Sequence, residues 1–146
     1  MNANGLREKP RQTGRIIAAV AAALVAAGIF AVSSIPASGL PSHPEFLNVL
    51  AHFCEYMLLG SLLTIALNSP TRALWKTALL ALVIASLYGA SDELHQLLIP
   101  GRVCDFWDWL TDSAGALLGI VATIWFLAAR RVSKSRQRDQ LTIKEA

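Results

Sequence analysis

Residues 88–119 read YGASDELHQLLIPGRVCDFWDWLTDSAGALLG, and they set Asp92, Glu93, His95, Gln96, Arg102, Asp105, Asp108 and Asp112 between two strongly apolar segments. Only 16% of the 146 residues are charged and 54% are hydrophobic, so this concentration of polar groups needs a physical cause. A membrane supplies one. A charge at the bilayer centre costs at least about 2.5 kcal/mol, so acids kept within spans must face one another inside a bundle. The stretch therefore reads as the mouth of a small all-α protein, an integral membrane four-helix bundle, completed by His52 and Glu55 from another helix.

On either side of this stretch the apolar runs have membrane-spanning length. Upstream, a third helix is expected over about 73–90, with Trp75 at the interface and Lys76 able to snorkel. Its helical pattern carries on toward Ile99, until Pro100-Gly101 stops it. Downstream, the fourth helix is expected over 105–129. The second covers about 47–67 and ends at Asn68-Ser69-Pro70. The first, about 16–35, is almost wholly Ala, Val, Ile, Leu and Phe and would be about 30 Å long. A cleaved signal peptide competes for that first run, since a basic start precedes it and Ala37-Ser38-Gly39 follows. Retention is favoured because the run is long for a signal core. Residues 1–15 form a basic arm expected to be disordered, and residues 130–146 a basic tail. The segment with Pro36, Pro41 and Pro44 is expected to be an extended external loop.

Charge sets the orientation. Of 13 Lys and Arg, the arm carries four, the loop after the second helix two and the tail six, which leaves only Arg102 for the other side. By the positive-inside rule both termini are cytoplasmic. Phe106, Trp107 and Trp109 then form an outer aromatic belt, and the acids and histidines of the spans open outward together with His43 and Glu45. A bacterial-type cytoplasmic (inner) membrane is the expected location. The net charge of +3 does not point to a specific nucleic-acid partner, because the basic residues flank the apolar runs. Two cysteines, Cys54 and Cys104, make no disulfide framework or zinc motif, and a bridge between them is not favoured. No nucleotide loop, nucleophile elbow or HExxH is present.

Helical spacing sorts the polar groups into stripes. Asn48, His52 and Glu55 share one face of the second helix; Tyr88, Asp92, His95 and Ile99 share one of the third. Asp105, Asp108, Asp112, Gly115 and Gly119 share one of the fourth, with the GxxxG step permitting close approach of a neighbour. Glu93 points off the Asp92 stripe.

With these residues in view, the chain resembles the VanZ-like membrane proteins. LNVLAHFCEYMLLGSLL (47–63) is similar to the family's first signature, with a His, a nearby Glu-Tyr and a Leu-Gly. SDELHQLLIPGRVCDFWDWLTDSAGALLG (91–119) is similar to the second, with Asp-Glu-x-x-Gln, Pro-Gly-Arg and Asp-x-x-x-Asp-x-x-Gly-x-x-x-Gly. Asn48 departs from the basic residue expected there in many relatives. The family is named for a protein associated with low-level resistance to the glycopeptide teicoplanin. The resemblance implies His52, Glu55, Asp92, Glu93, Gln96, Arg102, Asp108 and Asp112 as the positions to carry over.

The residues leave more than one chemistry open. His52, Glu55, Asp92 and Asp108 are the candidate catalytic set, with His52 as a proton-transfer group or, alternatively, a hydrogen-bonding strut. Gln96, Arg102, Asp112 and Glu93 are candidate ligand-binding residues. Arg102 is either an anion clamp or the partner of Asp105 or Asp108. Asp108 and Asp112 are an electrostatic floor or cation ligands, and neither a metal nor another cofactor is specified by spacing. Membrane lipids, a lipid-linked envelope intermediate and a second copy of the chain are the expected partners. An enzyme acting on an envelope lipid, a non-enzymatic binding or accessory protein, and a small transporter all fit this pattern, the last least well because the inner half has almost no polar lining.

Overall fold

The computed structural model describes residues 3–40 and 44–145. His43 and Pro41 lie outside them. Four helices follow in order: α1 (Ala3–Ser33), α2 (Glu45–Leu67), α3 (Leu74–Gln96) and α4 (Phe106–Glu145), with no strand among the described residues. Each contains a stretch long and apolar enough to cross a membrane: Gln12–Ser33, Phe46–Leu67, Leu74–Gln96 and Phe106–Gln137. The chain is an all-helical, multi-pass membrane protein.

Three helices exceed their expected bounds. Helix α1 continues upstream through the arm that was expected to be disordered, and α4 runs past residue 129 through the basic tail. Nucleation is the costly step of helix formation and is already met by the apolar span of α4, so the adjoining tail residues add at little cost, whereas α1 extends despite Gly5, Pro10 and Gly14. Residues 130–145 carry no Gly or Pro and are rich in Arg, Lys and Gln, all good helix formers. Helix α3 extends to Gln96, beyond residue 90, as its pattern suggested.

The interior is built from small and polar residues, and the exterior from large apolar ones. Ala22, Ile29, Tyr56, Leu59, Ala81, Ala85, Ala116 and Ile120 form the buried cluster, while Leu24, Leu87 and Trp125 are fully turned outward. In lipid there is no hydrophobic drive between helices, so close approach through small residues holds the bundle. Helices α2 and α4 make the tightest pair. A methyl at Gly115 would overlap the Phe53 carbonyl, one at Gly119 the Met57 carbonyl, and one at Gly60 the backbone of Ala116. The GxxxG step is therefore taken up inside the chain.

The connections at one end interlock. Pro100-Gly101 makes a type II turn, closed by Arg102 N–H donating to the Ile99 carbonyl at 3.1 Å, with Gly101 at φ 77°. Ala37 N–H donates to the Pro100 carbonyl at 3.2 Å, which ties the α1–α2 connection to this turn. That connection holds a 3-10 turn, Ala37–Gly39, instead of a fully extended path, because Gly39 N–H closes onto the Pro36 carbonyl at 2.8 Å. At the opposite end basic side chains cap exposed carbonyls: Arg15 donates to Ala66, Arg72 to Leu67, and Arg131 to Asn68 Oδ1.

Candidate functional site

The end of the bundle that carries Arg102 also holds the C-termini of α1 and α3 and the N-termini of α2 and α4. Helix α4 begins there because Asp105 caps it: Asp105 Oδ1 accepts from Trp107 N–H at 2.8 Å. Two turns further, the same helix face carries Asp112 into the interior, where it is 0% exposed.

Asp112 joins three helices. Its Oδ1 lies 3.1 Å from His52 Nδ1 of α2. Its Oδ2 lies against Gly89 of α3, where an added Cβ would stand 3.3 Å away. Glycine at position 89 leaves the room in which this carboxylate and the Tyr56 ring fit together, since Tyr56 Cε1 also lies 3.3 Å from that point. When ionised, a carboxylate only accepts hydrogen bonds, so an ionised Asp112 would take the proton of His52 Nδ1 and leave Nε2 as the nitrogen free to exchange one. This is the orienting arrangement that general-base histidines use. Glu55 and Asp108, both half-buried, lie within electrostatic reach of His52. The candidate catalytic set grouped His52 with Glu55, Asp92 and Asp108; the structure gives the ring's hydrogen bond to Asp112.

A second polar group lies on the α1 side. Ser33 Oγ lies 2.7 and 2.9 Å from the two carboxylate oxygens of Asp92, and both residues are buried. Gln96 Nε2 donates to Glu93 Oε1 at 3.2 Å and lies 3.4 Å from Asp92 Oδ2. Glu93 Oε2 accepts from the Asp105 backbone N–H at 2.8 Å. Glu93 is thus as buried as Asp92, contrary to its off-stripe position, because the α3–α4 connection wraps over that side of α3. His95 stacks on Phe30 with ring centroids 4.5 Å apart and has Ser34 Oγ 3.0 Å from its Nε2. It belongs to the α1 contact, apart from His52.

Arg102 reaches back to the end of α1. Its Nε and Nη2 donate to the carbonyls of Ile35 and Val32, 3.3 Å each, where α1 runs out of internal partners. Trp107 is exposed, as a belt residue would be, whereas Trp109 Nε1 donates to the Ser86 carbonyl of α3 at 3.0 Å. Cys54 and Cys104 are free thiols on the surface. Among the described residues no three His, Cys, Asp or Glu gather in a way that could hold a metal ion.

Sequence reasoning passed over Ser33, Ser34 and Tyr56. Helix α1 supplies both serines, although its run had been read as apolar filling. A signal did exist: Ala18, Ala22, Ile29 and Ser33 lie at helical spacing on one face, and all four are buried. Tyr56 is 0% exposed, and its hydroxyl has no hydrogen-bond partner among the described residues; nor has Asp112 Oδ2.

A family model described as VanZ/LLP1 matches residues 9–127. No curated protein and no solved structure matches the chain. The match takes in all four spans through the apolar part of α4, and every residue of the buried cluster lies within it.

Proposed function

This chain belongs to the VanZ/LLP1 family, and from that premise we propose that it acts at the extracytoplasmic face of a bacterial-type inner membrane on a lipid-linked or other cell-envelope intermediate. The observation that carries the reading is the His52–Asp112 pair, a basic ring oriented by a fully buried carboxylate inside a membrane bundle. A protein gains no stability from placing such a pair where two apolar side chains would pack, so function is the better reason for it. His52 is the proton-transfer group and Asp112 its orienting partner. Glu55 and Asp108 set the field around the ring. The asymmetry of basic residues supports cytoplasmic termini and a site opening on the opposite side.

The test is turnover of envelope lipids by purified protein in nanodiscs, with His52→Ala and Asp108→Asn alongside. The reading expects both variants to lose activity while keeping their fold. Wild-type turnover in both would overturn it. An effect of the same variants on glycopeptide sensitivity of cells would connect the site to the phenotype after which the family is named.

A second reading, a binding or accessory protein without chemistry, is favoured by one observation. Asp92, Glu93 and Gln96 already have partners inside the chain, so that part of the cluster serves the fold. It expects site variants to lose binding to a head group or partner protein while no turnover is ever detected.

A further inference from the structure

Two buried polar atoms at the centre of the bundle are unaccounted for by the interactions described above. Tyr56 Oη and Asp112 Oδ2 are both buried, and neither has a hydrogen-bond partner among the described residues. Buried polar atoms are nearly always paired, and these two do not bond each other, so two orphans on side chains that flank the same glycine call for a group that serves both. They come from different helices, α2 and α4, yet their side chains flank the same residue of α3, Gly89. Tyr56 Cε1 and Asp112 Oδ2 each lie 3.3 Å from the position a Cβ would take on Gly89.

We propose that Tyr56 Oη and Asp112 Oδ2 form a hydroxyl-binding subsite over Gly89. The chemistry selects the ligand class. The carboxylate oxygen needs a donor, and the phenol needs an acceptor for its proton. A hydroxyl offers both: its O–H donates to Asp112 Oδ2 while its oxygen accepts from Tyr56 O–H. A metal ion is the poorer occupant, since no three ligating side chains gather among the described residues and His52 already faces the other oxygen of Asp112. The hydroxyl comes from water or from an alcohol on a lipid head group. Either would lie on the carboxylate that orients His52, which makes Tyr56 a positioning residue for the site. This inference rests on the reading of the His52–Asp112 pair as functional, but it is read at the carboxylate itself and needs no turnover.

The experiment uses the full chain, with aspartate carboxyl carbons labelled, in nanodiscs of phosphatidylcholine and, separately, of phosphatidylglycerol. Solid-state NMR measures polarisation transfer from water protons and from glycerol head-group protons to the Asp112 carboxyl carbon, assigned by its loss in Asp112→Asn. A water occupant gives transfer from water in both lipids. An alcohol occupant gives head-group contact in phosphatidylglycerol only. In both cases Tyr56→Phe shifts the Asp112 carboxyl resonance and takes the transfer to background. Gly89→Ala, which keeps both polar groups and crowds the space between them, weakens the transfer and guards against a folding defect in the tyrosine variant. Absence of any transfer in the wild type, or transfer unchanged in both variants, overturns the proposal. Loss of envelope-lipid turnover in His52→Ala with no hydroxyl signal at Asp112 would sink this subsite alone and leave the broader function standing.

Discussion

Helix α1 is fastened to the site by a buried hydrogen bond, and cutting that bond has a calculable effect. Ser33 Oγ stands 2.7 and 2.9 Å from the oxygens of Asp92, which is 3% exposed. A hydrogen bond to a charged group contributes about 1.5–3 kcal/mol. Neutral interhelical hydrogen bonds in membranes average only about 0.6 kcal/mol, because the unfolded chain in lipid finds other partners. The two figures separate the cases. Ser33→Ala deletes the donor and leaves Asp92 with Gln96 Nε2 at 3.4 Å, too long to compensate. A cycle of Ser33→Ala, Asp92→Asn and the double variant, followed by reversible unfolding in mixed micelles, isolates the coupling. Ser33 has one hydroxyl proton, and the Ile29 carbonyl, 2.7 Å from its Oγ, is the competing acceptor; a short bond to Asp92, shielded from water, predicts a coupling of about 1.5 kcal/mol or more with the proton on the carboxylate side. A coupling below about 0.5 kcal/mol would refute the claim that the Ser33–Asp92 hydrogen bond anchors α1, and with it the view of α1 as part of the site.

Two further predictions follow from packing and topology. Gly119→Ala drives a methyl into the Met57 carbonyl of α2 and should cost about 1–3 kcal/mol of stability, while Gly28→Ala, with nothing within 4 Å, should be neutral or stabilising by up to about 1 kcal/mol; equal effects in thermal unfolding would contradict the α2–α4 contact. In a Cys54→Ser background, the exposed Cys104 should react with a membrane-impermeant maleimide added to intact spheroplasts, and labelling only after lysis would reverse the proposed orientation.

The sequence made the architecture legible because a bilayer leaves few options. Four long apolar runs separated by Pro and basic residues can hardly be anything but four spans, and the structure has them. The His52–Asp112 meeting was also foreseeable in kind, since stripes of polar residues on separate helices have only one another to face. Which carboxylate met the ring was not legible. Glu55 is nearer in sequence and within electrostatic reach of the ring, but Asp112 hydrogen-bonds it from across the bundle on α4. The carbonyl contacts of Arg102 were not legible for a related reason. A lone cation among acids suggests an ion pair, yet the carbonyls at the end of α1 were the nearer orphans, and helix ends carry no mark of this kind in the sequence. Ser33 could have been found from the small-residue face it shares with Ala18, Ala22 and Ile29, whereas the buried Glu93 was hidden because periodicity describes a helix alone and a loop lies over it.

The most direct measurement is the distance between the His52 imidazole Nδ1 and the Asp112 carboxyl carbon, by nitrogen–carbon dipolar recoupling on labelled protein in lipid. His52→Gln and Asp112→Asn spectra supply the assignments. With Nδ1 3.1 Å from Oδ1, the account predicts a separation of about 4 Å or less. A separation beyond about 6 Å would mean no hydrogen bond joins α2 to α4 at this point, and the central pair would not exist.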